Sequence, residues 1–103
     1  MRGLHQVRKQ LELLSVLARH TVEDAWALAA IEDATKEVER VTSDGPTVRY
    51  AREIRLAATC RTSKPGQLIR ESPIGERIEW LADHCKLLGM TSAGEIDPRV
   101  TSA

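Results

Sequence analysis

The sequence predicts an all-α fold, a small bundle of four main helices joined by short breaks. Three observations carry that expectation. Apolar residues recur at spacings of three and four in four separate stretches, as they do along one face of a helix. Runs rich in Gly, Pro, Ser and Thr separate those stretches. No stretch alternates apolar and polar residues in the way a half-buried strand does. At 103 residues the chain has room for one core. The expected layout is a single helical domain over residues 1–89 and an irregular tail over 90–103.

The first helix is expected over residues 4–19. Leu4, Val7, Leu11, Leu14 and Ala18 form one seam, and Leu13, Val16 and Leu17 add a second apolar flank. A helix apolar on one stripe docks on one neighbour, whereas one apolar over most of its circumference is surrounded. A second copy of the chain is the simplest surround, so a homodimer is expected, with Leu11, Leu13, Leu14, Val16 and Leu17 as interface candidates. The second helix is expected over 21–41. Its stripe is Ala27, Ile31, Ala34, Val38 and Val41, and Thr21 with Glu23 and Asp24 reads as a capping start. Five alanines keep it thin enough for close approach.

Thr42 to Pro46 reads as a turn, with Pro46 at the first position of a third helix over 46–61. Its expected buried face is Val48, Ala51, Ile54 and Ala58. Thr62 to Gly66 is the next break, followed by a possible single helical turn at 67–71. Ser72 caps and Pro73 opens a fourth helix over 73–88, closed by Gly89. Its stripe is Ile74, Ile78, Leu81, Cys85 and Leu88, with Trp80, His84 and Leu87 on an adjoining strip.

Charge is patterned even though it sums to zero, with 15 basic and 15 acidic residues. Residues 1–20 hold four basic and one acidic group, 21–44 two and seven, 45–70 six and one, and 71–103 three and six. The sign alternates helix by helix, which favours packing of unlike neighbours. Zero net charge argues against a chain that lives on non-specific DNA or anionic membrane. Aromatics are 3% and Phe is absent, so the core must be aliphatic. Arg8, Lys9 and Glu12 interrupt any secretory h-region, and no apolar run is long enough to span a bilayer. The expected setting is cytoplasmic, with Cys60 and Cys85 reduced and no membrane partner.

Chemistry is hard to place. The two cysteines fit no metal or redox spacing, and Cys85 falls on an apolar stripe. The three histidines are not paired at helical spacing; His84 and Cys85, being adjacent, diverge by about 100°. No Gly-rich phosphate loop exists, so no metal, cofactor or catalytic residue is expected. Arg49, Arg52 and Arg55, at spacing three, make a basic ridge that could track phosphates or meet a protein partner. Thr47-Val48-Arg49-Tyr50 resembles the Arg-Tyr segment that follows the helix-turn-helix of mercury-resistance-type regulators. That resemblance implies DNA binding, but here the preceding residues 22–41 read as one long helix in place of two short ones.

The leading functional expectation is a small non-enzymatic regulatory or adaptor protein. It would bind another protein through a helical surface, for example to antagonise a larger factor such as a transcription regulator. Arg49, Arg52, Arg55, Trp80 and His84 are the partner-binding candidates, since Trp and Arg anchor interfaces. The alternative is a DNA-binding transcriptional regulator that uses the basic helix 46–61.

Overall fold

A computed structural model of the chain describes residues 3–60 and 64–96, with side chains as far as Gly89. The described residues form four α-helices: α1 Leu4–Leu17, α2 Ala25–Val41, α3 Gly45–Cys60 and α4 Pro73–Ile96. One 3₁₀ turn, Ile69–Glu71, precedes α4. There is no named strand among them, only an isolated antiparallel bridge between Thr21 and Leu68.

α2 packs on α1 and α3, and α4 packs on α3 and α1, so the helices close into a ring. Side-chain and backbone contacts set the directions. Gly3, ahead of α1, lies against Val41 at the end of α2. Glu39 near the end of α2 meets Arg52 and Arg55 of α3. Asp44, ahead of α3, meets His84 in α4, and Arg8 of α1 lies against Gly89 of α4. Every neighbouring pair is therefore antiparallel, the up-down-up-down arrangement that short connections favour.

The expected stripes form the core. Val7, Leu14, Leu17 and Ala18 come from the first stretch, Ala27, Ile31, Ala34 and Val38 from α2, and Ile74, Ile78, Leu81 and Cys85 from α4, all buried. On α3 the buried face is Thr47, Ala51, Ile54 and Ala58. Thr47 thus takes the place expected for Val48, which is only half-buried. A threonine can stand there because its hydroxyl donates to Asp44 at 2.7 Å. The ring places each helix beside two helices of opposite block charge. Among the described residues, only Glu39 with Arg52 and Arg55 turns that pattern into a pair between two helices, however. The Arg77–Glu53 contact, at 3.8 Å, runs against it, with the acid on α3.

Four boundaries differ from expectation. α1 ends at Leu17, two residues early, and α2 starts at Ala25, not at Thr21. The reason is tertiary. Backbone groups of the α1–α2 connection pair with the segment before α4: Arg70 N–H donates to Ala18 O, Ile69 N–H to His20 O and Val22 N–H to Gln67 O, at 2.8 to 2.9 Å. Backbone so engaged cannot also continue a helical ladder. Asp24 stands at the helix start, but its carboxylate bonds His20 Nδ1 at 3.0 Å and makes no side-chain cap. The third difference is small: α3 begins at Gly45, one residue before Pro46, because Asp44 is the capping residue. Residue 61 lies outside the described residues.

The fourth is the end of α4. Gly89 does not close the helix, which runs on to Ile96, so residues 90–96 are helical where an irregular tail was expected. Gly89 is not among the positive-φ glycines, so it lacks the left-handed turn of a helix stop. It faces the end of the Arg8 side chain, close enough that a Cβ there would collide with the guanidinium. Its smallness serves helix–helix approach. The rest of the expected tail, 97–103, lies outside the described residues.

Candidate functional site

α3 and α4 run side by side, and their outward flanks enclose an open groove of about 430 Å³ lined by Tyr50, Trp80, Asp83, His84 and Leu87. The four α4 residues recur at i, i+3, i+4 and i+7, so they share one face of that helix, the strip beside its buried stripe. Trp80 is 41% exposed and Leu87 61% exposed. Leu56, on the outward face of α3, is also exposed.

His84, in the groove, is tethered to capping chemistry at the start of α3. Asp44 ends the three-residue connection between α2 and α3. Its Oδ2 accepts the Thr47 N–H at 3.1 Å, which caps α3. The same oxygen accepts from Nε2 of His84 at 2.9 Å, which ties α4 to that cap. The Asp44 carboxyl is held below the usual carboxylate range, first by the His84 hydrogen bond and then by the two Thr47 donors, against the opposing effect of burial. Tyr50 lies against the His84 ring, with centroids 5.4 Å apart and planes tilted by 55°. Arg77 sits over Trp80, its guanidinium carbon 5.3 Å from the ring centroid, and also reaches Glu53.

This arrangement positions an aromatic and an aliphatic side chain, Trp80 and Leu87, beside the His84–Asp44 pair. The nearest thiol, Cys85, is buried, and burial pushes its thiol up. His84 and Asp44 are paired, and the hydroxyl that lines the groove with them is the phenol of Tyr50, with no Ser, Thr or Cys in the lining. Among the described residues no three His, Cys, Asp or Glu side chains gather in a way that could hold a metal ion. No helix among them is long and apolar enough to cross a membrane.

The expected partner-binding residues separate into two groups. Trp80 and His84 come together in the groove. The arginine ridge divides: Arg52 donates to Glu39 at 2.9 Å and Arg55 also pairs with Glu39, while Arg49 stays exposed and makes no ion pair among the described residues. Burial acts to raise the Glu39 carboxyl, but Arg55 and Arg52 outweigh it and hold the group below the usual range. The ridge is thus largely spent inside the fold on the acidic helix.

The expected interface on α1 divides as well. Leu14 and Leu17 are core residues, and Leu11 packs against that core. Leu13 and Val16 remain exposed. Trp26, exposed at the start of α2, lies edge-on to His20, with ring centroids 4.6 Å apart. Tyr50 and Leu87 were absent from the expected site, although Leu87 already stood on the Trp80–His84 strip. Tyr50 could be found only by knowing that α3 lies antiparallel on α4.

The chain matches no known family profile, no curated protein and no solved structure.

Proposed function

We propose that the chain is a small non-enzymatic regulatory or adaptor protein that acts by binding another protein, and that the outer α3/α4 groove is its docking surface. The observation that carries this is the Trp80–Leu87 strip. In a chain with two tryptophans and one tyrosine, a Trp and the Tyr meet at one exposed groove, beside an exposed Leu. Burying a tryptophan elsewhere would have strengthened an aliphatic core, whereas an exposed Trp on a rigid frame is the kind of residue that anchors an interface. A helix laid along the groove would place its own apolar residues against Trp80 and Leu87 at helical spacing. Holding a larger factor such as a transcription regulator in check is one form such docking takes.

Support for a protein partner over DNA comes from the ridge. With Arg52 and Arg55 bonded to Glu39, Arg49 is the arginine of the three left to meet a phosphate, and the neighbouring α4 face carries Glu76, Glu79 and Asp83. Few phosphate contacts predict weak association with a shallow salt dependence. The test is affinity capture from the native host with the wild-type chain and with Trp80→Glu. The reading expects a specific protein retained by the first and lost from the second, with no nucleic acid required. Equal retention by both, or retention abolished by nuclease, would overturn it.

A further inference from the structure

We infer that the α3/α4 face is self-complementary and that its occupant is a second copy of this chain. The inference rests on the reading of this groove as a docking surface, and names what docks there.

The argument is the arrangement of charge about the apolar strip. On the α3 side of Trp80 and Leu87 the exposed ridge is basic, with Arg49 and Arg52 flanking Leu56. On the α4 side it is mainly acidic, with exposed Glu76, Glu79 and Asp83 at spacings of three and four and exposed Lys86 at its far end. Neither Arg49 nor any of these three acids makes an ion pair among the described residues, so the four charges are open to a partner. Glu53–Arg77 and Tyr50–His84 fix the register of the two antiparallel helices. Arg49, next to Tyr50, is therefore level with Asp83, next to His84.

A face with a basic row, an apolar row and an acidic row, matched in height, has one symmetric solution. A two-fold axis lying in the face and parallel to the helices carries each row across the strip without changing its height. Arg49 then meets Asp83 of the second copy, and each Trp80 and Leu87 strip covers the other. α3 packs antiparallel on α4 of the second copy, as it already does on its own. A two-fold axis across the helices would set basic row against basic row and is disfavoured. The face is about 24 Å long and about 20 Å wide, from helix rise and diameter. That footprint, about 480 Å² per copy, is below the size of a standard stable interface and belongs with weak, transient contacts, so the dimer is expected in the high-micromolar range. Such a dimer turns its two α1/α2 ends outward, each with Leu13, Val16 and Trp26 still exposed.

The test is sedimentation equilibrium from 5 to 200 µM at low salt, with helicity followed by circular dichroism to exclude unfolding. The average mass of wild type is expected to rise toward twice the 11.4 kDa monomer mass. Trp80→Glu should weaken self-association by about 100-fold. Arg49→Glu and Asp83→Arg alone should each weaken it by about tenfold, because a symmetric dimer repeats every mismatch. An equimolar mixture of those two variants should recover wild-type affinity, since a mixed dimer holds one Glu–Arg and one native Arg–Asp pair. A wild type that stays monomeric to 200 µM would overturn the inference. So would a mixture no tighter than its components, or a dimer lost with Leu13→Glu and kept with Trp80→Glu. In any of those cases capture of another protein dependent on Trp80 would leave the docking reading standing. Loss of both Trp80 effects would remove that reading as well.

Discussion

Asp44 ties the start of α3 to α4, and deleting its carboxylate tests how the groove is held. Its Oδ2 accepts from the backbone and hydroxyl of Thr47 and from His84 on α4. Losing an N-cap costs about 1 kcal/mol. Thr47 is fully buried, so stranding its hydroxyl adds about 1 kcal/mol or more, and the lost His84 bond about another 1 kcal/mol. Asp44→Ala should therefore cost about 3 kcal/mol, a large share of the roughly 5–15 kcal/mol that stabilises a domain. In urea unfolding followed by circular dichroism, with a slope of about 1–2 kcal/mol/M, the midpoint should fall by about 2 M. A double-mutant cycle with His84→Ala should return a coupling of about 1 kcal/mol. The sign with pH also follows. The folded Asp44 carboxyl titrates below its unfolded value of about 3.9, so its contribution is present above that pH and is lost as pH falls through the folded value. The gap between wild type and Asp44→Ala should thus narrow below about pH 4. A cost under about 0.5 kcal/mol, a coupling indistinguishable from zero, or a gap that widens in acid would refute the account of Asp44 as a tether.

Three further outcomes are expected. Gly75→Ala, which in an ordinary helix would gain up to about 1 kcal/mol, should instead cost about 1–3 kcal/mol in thermal or urea unfolding. A Cβ at that position would run into the Arg70 backbone of the 3₁₀ turn. Leu17→Glu should leave the chain largely unfolded by circular dichroism, while Leu13→Glu should shift stability by no more than about 0.5–1 kcal/mol, because Leu17 is 3% exposed and Leu13 43%. A thiol-reactive chromophore should label Cys60 at once and Cys85 only in denaturant, since the first is exposed and the second buried with its thiol pushed up.

The helical stripes were legible because burial in a helix repeats at three and four, and that period is written in the chain itself. Ile31, Ala34 and Val38, or Ile74, Ile78 and Leu81, could be placed inside from spacing alone. Ser72 was legible as a cap because capping is local: its hydroxyl oxygen accepts the Ile74 N–H at 3.1 Å. What escaped depends on partners far away in sequence. Thr21 looks like a helix start until its neighbours are seen paired with Gln67 to Arg70. Gly89 looks like a stop until Arg8 is found across it. The site was half legible for the same reason. Trp80, His84 and Leu87 share a face that spacing reveals, but Tyr50 joins them only through the α3–α4 register. Leu14 and Leu17 were read as interface residues because an over-apolar helix can be surrounded by its own domain as well as by a second chain.

The central claim, that the outer α3/α4 groove is a protein-docking surface, is met most directly by site-specific photo-crosslinking in the native host. A photoreactive side chain is introduced at position 87, in the groove, and separately at position 33, an exposed site on α2. The account predicts discrete protein adducts from position 87 that disappear when Trp80→Glu is added, and no matching adducts from position 33. Absence of adducts at 87, or the same adducts from both positions with no dependence on Trp80, would contradict it.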